Sequence, residues 1–128
     1  MIVLGIETSG DESSVALRDS ERLLAELQFG GASGRARQIM TAVDQLLEKA
    51  SVNRNTIDAV AVSEGPGSFT GLRVGITCAK SLAFALDWRA VGVPSLEVKV
   101  QNVESEDVEF AAPVLDARRS CVYASLFA

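Results

Sequence analysis

Hydrophobic and polar residues follow two different periods along this chain of 128 residues. Apolar residues dominate or alternate over 1–8, 14–18 and 22–29, and short polar turns separate these stretches. This pattern predicts three strands in a meander. After the glycines at 30, 31 and 34, apolar positions recur every three or four residues over 35–50. That spacing predicts an amphipathic helix.

The rest of the chain alternates between short apolar stretches and helical spacing. Ser68 precedes the second long helical pattern and is a candidate N-cap. The predicted elements after residue 50 are a strand at 57–62, a helix at 70–86, a strand at 90–93, a helical turn at 95–100, an acidic loop at 102–109, and strands at 112–116 and 121–127. The order βββαβαβ indicates an α/β domain, followed by a hairpin.

The helix predicted at 70–86 is apolar around nearly its whole circumference. Small residues at spacing four form a ridge, which consists of Gly71, Gly75, Ala79 and Ala83. Larger apolar residues such as Leu72 and Ile76 cover much of the remaining surface. A helix of this kind must be covered on two sides. We expect the sheet to cover one side and a partner helix to meet the ridge, with the helix at 35–50 as the alternative cover.

The composition excludes several kinds of chemistry. The chain has no histidine, which removes the most common metal ligand and the most common general base near neutral pH. Cys78 and Cys121 lack the spacing of a metal site. The net charge of −5 opposes direct binding to nucleic-acid phosphates. The two cysteines suggest no disulfide scaffold, so we expect a cytoplasmic protein. We find no signal peptide and no stretch approaching the ~20 apolar residues of a membrane span, so we expect no membrane contact.

The most specific motif is the segment 63–75, which reads Ser-Glu-Gly-Pro-Gly-Ser-Phe-Thr-Gly-Leu-Arg-Val-Gly. A strand, a Gly/Pro turn and a helix N-terminus in this order bring backbone N–H groups to a point where they can meet an anion. No Gly-Lys-Ser/Thr follows, as a Walker phosphate loop requires, and the glycines lack the spacing of a dinucleotide fingerprint. The run resembles the signature of the TsaB (YeaZ) family, the non-catalytic partner of TsaD in making threonylcarbamoyladenosine on tRNA.

This resemblance implies a fold, a role and an interface. The implied fold is α/β, a ribonuclease H-like lobe of the actin-like ATPase (ASKHA) class with a mixed five-stranded sheet. The chain would hold this lobe at 1–103 and the opening hairpin of a second lobe at 104–128, as a shortened form or a fragment. It would support a TsaD-like transferase, with a TsaE-like ATPase as a further partner and a homodimer when alone. The implied interface residues on the two long helices are Ile39, Val43, Gly71, Leu72, Gly75, Ile76, Ala79 and Ala83.

The stretch from Gly5 to Ser14 is a second candidate site, because a strand ends there in a turn rich in hydroxyls and carboxylates. It resembles the phosphate hairpin of actin-like ATPases. The candidate nucleotide or phosphate contacts are Thr8, Ser9, Gly10, Asp11 and Ser13, together with Gly65 and Gly67. Glu7, Asp11 or Glu12 could reach magnesium through water. We therefore expect ATP or ADP with magnesium at a partner interface, without tight binding. The alternative is a polar β-turn with satisfied side chains.

A third segment lacks the metal ligands that TsaD uses. In TsaD a His-x-x-x-His pair binds the catalytic metal, and Ser95 and Lys99 stand at the matching positions here. Serine is a poor ligand, and a protonated ammonium group is no ligand. We therefore expect neither a metal site nor a catalytic residue in this chain.

Two other functions remain open from the sequence. The hairpin at 7–14 could bind ATP in a small-molecule kinase or ATPase lobe, or the chain could be a self-associating structural dimer. The presence of one lobe argues against the first alternative, since actin-like ATPases close two lobes over the nucleotide.

Overall fold

The computed structural model describes residues 1–30, 35–103 and 108–128. In chain order the elements are β1 (Val3–Glu7), β2 (Ser13–Arg18), β3 (Leu23–Phe29), α1 (Arg35–Ala50), a 3₁₀ turn (Arg54–Thr56), β4 (Ala59–Gly65), α2 (Phe69–Leu86), β5 (Arg89–Pro94), α3 (Ser95–Val100), β6 (Val114–Arg118) and β7 (Cys121–Ala124). The predicted order of strands and helices is confirmed. The link at 31–34 and the centre of the acidic loop, 104–107, lie outside the described residues.

A mixed five-stranded sheet in the order β3-β2-β1-β4-β5 forms the centre of the domain. The β1–β2 and β2–β3 pairs are antiparallel, whereas the β1–β4 and β4–β5 pairs are parallel. Strands β3, β4 and β5 therefore run in the same direction as β1. Because α1 follows β3 and α2 follows β4, both helices begin at the same edge of the sheet. This arrangement confirms the predicted α/β fold.

The core lies between one face of the sheet and the two long helices. Alternate residues of each strand point to this face, as the two-residue period of a strand requires. The buried strand residues there include Leu4, Ile6, Val15, Leu17, Val60 and Val62. Ile39 and Val43 of α1 complete this core and are 0% and 3% exposed. The sheet covers the stripe of α1 that carries them, so their assignment to a partner interface is corrected.

The start of α2 has the predicted cap, since the Ser68 hydroxyl accepts a hydrogen bond from the Gly71 N–H at 3.2 Å. The buried side of α2 consists of Gly71, Gly75, Ala79 and Leu82. The small residues thus face the sheet, because they let the helix backbone approach the strands closely. Gly71, Gly75 and Ala79 are thus covered by the chain's own sheet, and contact of the ridge with a partner helix stays a prediction. Ala83, Leu72 and Ile76 are half-buried beside it.

By length and composition alone, α2 could cross a bilayer, since it has 18 residues with a mean hydropathy of 1.2. This corrects the expectation that no stretch comes close to such a span. One side of α2 nevertheless packs on β4, and the charged side chains of Arg73 and Lys80 are exposed. A core helix in an α/β domain has this arrangement.

The C-terminal strands β6 and β7 form a separate antiparallel sheet of two strands. Ala111 and Phe127 extend it by exchanging two backbone hydrogen bonds of 2.9 Å. The positive φ angles of the residues at 118–120 place the turn later than predicted, so β6 continues to Arg118. The division of the chain into lobes at 1–103 and 104–128 stays a prediction.

Candidate functional site

The β1–β2 hairpin and the glycine-rich turn are joined at the carboxyl ends of β1 and β4. The backbone N–H of Ser68 donates a hydrogen bond to the carbonyl oxygen of Ser9 at 2.7 Å. The Thr8 hydroxyl donates to the carbonyl oxygen of Gly71 at 2.8 Å. These two bonds connect the hairpin to the first turn of α2, and both Thr8 and Ser9 are buried.

Two glycines allow this close approach. A Cβ atom added to Gly67 would lie 2.5 Å from the carbonyl oxygen of Ser9. A Cβ atom added to Gly75 would overlap with Thr8 Oγ1 and would lie 3.4 Å from Val62 Cγ2. Backbone atoms move less readily than the end of a side chain, so the contact at Gly67 is the less adaptable one. The signature glycines therefore serve the packing of α2 against β1 and β4.

Glu7 holds the polar groups at the end of β1. One carboxylate oxygen accepts a hydrogen bond from the backbone N–H of Ser9 at 2.6 Å. The other accepts a hydrogen bond from the hydroxyl of Ser63 on the neighbouring strand β4. Charged acceptors of this kind make strong hydrogen bonds, which orient the hairpin. Within the described ranges, no three His, Cys, Asp or Glu side chains are grouped as a metal site would require.

The predicted nucleotide contacts fall into two environments. Thr8, Ser9 and Ser13 are buried, whereas Gly10 is half-buried and Asp11 is exposed. The Thr8 hydroxyl is already bonded to α2, which leaves the exposed tip of the hairpin as the accessible part. The Ser13 hydroxyl is buried without a hydrogen-bond partner in the part of the chain that the structure describes. Contact with phosphate stays a prediction for these residues and for the two glycines of the turn, Gly65 and Gly67.

A groove lies between α1 and α2. We call it the α1–α2 groove, and its volume is about 660 Å³. Its lining residues are Ala36, Met40, Thr70, Arg73, Val74, Thr77, Cys78, Ser81, Leu82 and Ala85. Most of them are apolar or carry one small uncharged polar group. This composition suits an apolar partner surface rather than a phosphate group.

Large hydrophobic side chains are exposed on α1 and α2. Met40 in the groove is 42% exposed, Phe69 at the start of α2 is 73% exposed, and Phe84 near its end is 93% exposed. Single exposed apolar residues are common, but several on one helix face mark an interaction surface. The side of α2 that points away from the sheet therefore carries the large exposed apolar side chains.

Cys78 contributes packing to the α1–α2 groove. Its sulfur lies 3.7 Å from the sulfur of Met40. Burial raises the pKa of the Cys78 thiol above its ordinary value, because burial disfavours the thiolate. Since the thiolate is the nucleophilic form, Cys78 is suited to packing rather than to catalysis.

Two comparisons with known proteins point to proteins named for threonylcarbamoyladenosine modification of tRNA. Residues 32–127 match the family model TsaD, tRNA N6-adenosine threonylcarbamoyltransferase. The Bacillus subtilis protein named tRNA threonylcarbamoyladenosine biosynthesis protein TsaB is 35% identical over 127 residues, which are 99% of this chain and 55% of that protein. The chain belongs to the TsaB (YeaZ) family.

Solved structures support the same assignment. YeaZ from Pseudomonas aeruginosa superposes with a TM-score of 0.88 at 32% identity, over 98% of this chain and 58% of that one. RuvC from Thermus thermophilus shares the fold alone, with a TM-score of 0.55 at 18% identity, over 77% of this chain and 67% of that one. The ribonuclease H-like fold class is thereby confirmed. The chain spans little more than half the length of its TsaB and YeaZ relatives.

The segment where TsaD would carry its histidines forms the start of α3. Ser95 is the first residue of this helix and is fully buried, and Lys99 is half-buried near its end. The Ser95 hydroxyl makes no hydrogen bond to the described residues. The structure places these two side chains in a packed helix, and the expectation that no metal binds there stays a prediction.

The interface residues predicted from the sequence do not line the α1–α2 groove. Met40, Val74 and Cys78, which do line it, are not among them. The available signal was the position of Phe69 and Phe84, which lie away from the ridge on a helical projection. Large apolar residues opposite a small-residue ridge predict which side is left for a partner.

Proposed function

We propose that this chain is a non-catalytic subunit that binds a TsaD-like transferase in the N6-threonylcarbamoyladenosine modification of tRNA. The transferase moves a threonylcarbamoyl group from its adenylate to an adenosine of tRNA. The α1–α2 groove is the proposed docking surface. Membership of the TsaB (YeaZ) family and the name of the B. subtilis relative support this pathway.

The observation that carries the proposal is the exposed apolar surface of α2. A groove of about 660 Å³ lies between α1 and α2, and Phe84 on α2 is 93% exposed. Burying apolar area is worth roughly 25 cal/mol per Å². An amphipathic helix can place its apolar residues in such a groove. We therefore propose that a helix of the transferase occupies it.

The hydrogen bonds of the β1–β2 hairpin favour an accessory role for this chain over a catalytic one. The Glu7 carboxylate accepts hydrogen bonds from Ser9 and Ser63. The Thr8 hydroxyl donates one to Gly71, so both side chains are already bonded within this chain. The chain has no histidine to serve as a base. In the proposed assembly, a TsaE-like ATPase is a further partner, ATP or ADP with magnesium binds at a partner interface, and the complex is cytoplasmic.

Two alternatives make different predictions. A second copy of the chain could occupy the α1–α2 groove when the transferase is absent, which would give a homodimer. A kinase or ATPase lobe would instead bind ATP tightly through the hairpin at 7–14. Magnesium-dependent ATP binding by the isolated chain, measured by calorimetry, would support the ATPase lobe.

The test is co-purification of this chain with the TsaD-family protein of the same organism. Met40→Asp places a charge in the α1–α2 groove and should weaken binding by more than about tenfold, since an unpaired buried charge is costly. Val91→Asp is the matched control, because Val91 is 50% exposed but lies on β5, outside the groove. Thr77→Asp, at an exposed residue that lines the groove, serves as a second variant if Met40→Asp does not fold.

Equal binding by the Met40→Asp and Val91→Asp variants would show that the groove is not the docking surface. A wild-type chain that neither binds the TsaD-family protein nor stimulates its activity on tRNA would overturn the proposed function.

A further inference from the structure

Arg73 is the one charged side chain among the described residues that line the α1–α2 groove. Its guanidinium group lies over the ring of Phe69, with 5.4 Å between Arg73 Cζ and the ring centroid. The ion pairs seen within the described ranges join Arg22 to Asp19 and Arg54 to Asp44. No carboxylate from the described part of the chain thus forms an ion pair with Arg73.

Docking of a partner in the groove would remove water from this guanidinium group. A buried charge is costly unless an opposite charge and hydrogen bonds compensate it. The ring of Phe69 offers a cation–π contact but no acceptor for the N–H groups. A partner that covers the groove must therefore bring an acceptor to this position.

We infer that the protein docked in the α1–α2 groove contributes an aspartate or glutamate that pairs with Arg73. This inference rests on the proposed function and specifies the chemistry of the partner. A guanidinium group binds a carboxylate through two parallel hydrogen bonds, which fixes orientation as well as adding affinity. Arg73 lies in the second turn of α2, so this pair would set the position of the partner along the groove.

The same charge disfavours a second copy as the occupant. The described lining residues of the groove include no aspartate and no glutamate. A dimer in which two grooves face each other would bury two guanidinium groups without carboxylates from those linings. A different protein that carries a carboxylate is therefore favoured over a second copy of this chain, because a second copy would leave both guanidinium charges unpaired.

The test compares Arg73→Met with Lys80→Met. Both variants remove one positive charge from α2, but Lys80 is exposed outside the groove, on the side nearer β5. Titration calorimetry with the TsaD-family partner should show Arg73→Met binding weakened at least about tenfold, because the partner carboxylate loses its counter-charge. Lys80→Met should bind within about twofold of wild type.

Self-association should respond in the opposite direction. By sedimentation, Arg73→Met should dimerise more tightly than wild type when no partner is present, since the variant removes an unpaired charge from the groove. Wild-type binding to the partner should weaken with added salt, and the Arg73→Met variant should show a smaller salt dependence.

Three outcomes would overturn the inference. One is equal partner affinity of the Arg73→Met and Lys80→Met variants. Another is tRNA binding by the chain alone that Arg73→Met abolishes, because the acceptor would then be a phosphate. The third is a wild-type chain that does not bind the partner at all, which also removes the proposed function. The first two leave that function intact, so the failures are distinguishable.

Discussion

The two sides of α2 differ in the size and the exposure of their side chains. The side toward the sheet carries Gly71, Gly75 and Ala79, and there the helix lies so close to the hairpin that Thr8 Oγ1 occupies the space of a side chain at Gly75. The side away from the sheet carries Phe69 and Phe84, which are largely exposed. Small side chains bring the helix near its own domain, and large ones remain available to another molecule.

This contrast teaches that apolar character alone does not identify an interface. Both sides of α2 are apolar, but the area that a partner can cover depends on side chains that project from the surface. Glycine and alanine contribute little area and instead permit close backbone contact. An interface is therefore expected on the side with the larger residues.

The largest expected effect is at the close contact between α2 and the hairpin. Gly75→Leu should lower the free energy of unfolding by about 3 kcal/mol, since a side chain there overlaps with Thr8 and approaches Val62. Urea denaturation followed by circular dichroism measures this. Thr77→Leu is the control, because Thr77 is exposed on the other side of α2 and should change stability by less than about 0.5 kcal/mol.

A double-mutant cycle sharpens the same comparison. If Thr8 Oγ1 is the colliding atom, adding Thr8→Ala to Gly75→Ala should cost less than the sum of the two single changes, by about 1 kcal/mol. Strict additivity would mean that the contact between these residues is not the source of the destabilisation.

The next effect concerns the glycine-rich turn. Gly67→Val should lower the free energy of unfolding by about 2 kcal/mol, because its Cβ atom would lie 2.5 Å from the backbone oxygen of Ser9. Gly10→Val is the control, since the nearest atom to a Cβ there is 3.8 Å away. Thermal melts that coincide for the Gly67→Val variant and wild type would show that the turn adapts without strain.

A smaller effect is expected at Glu7, which belongs to the same junction. Glu7→Gln keeps the shape of the side chain but removes the charge that accepts hydrogen bonds from Ser9 and Ser63. The expected loss is about 1.5 kcal/mol in the free energy of unfolding. Glu12→Gln, at an exposed position of the same hairpin, should show no measurable change by the same denaturation assay.

The smallest effect on stability is expected on the outer side of α2. Phe84→Ser should alter the free energy of unfolding by less than about 0.5 kcal/mol, since this side chain is 93% exposed. It should nevertheless weaken binding to the TsaD-family partner, measured by calorimetry. Phe29→Ser is the contrast, because Phe29 packs against the core and its loss should lower stability. A large stability loss in Phe84→Ser would contradict this division of the helix.

The order of elements and most of their bounds were predictable from local patterns. Helix α1 begins and ends where its apolar period begins and ends. Ser68, the hydroxyl residue that precedes the helical pattern of α2, is the N-cap of that helix. The glycine-rich run at 63–75 was also sufficient to indicate the TsaB (YeaZ) family, which the comparisons confirm. These features depend on residues that are close in sequence, so a single sequence contains them.

The candidate site depended on tertiary structure. Residues 8 and 75 are far apart in the chain, and no period reveals that the hydroxyl of Thr8 fills the space beside Gly75. Nor does a period show which apolar side of α2 the sheet selects, because both sides satisfy the hydrophobic pattern. The sequence alone determined the elements, the family and the absence of histidine. Only the folded chain decided that the small residues are internal and that Met40, Arg73 and Phe84 face outward, since that choice follows from how closely backbones can approach.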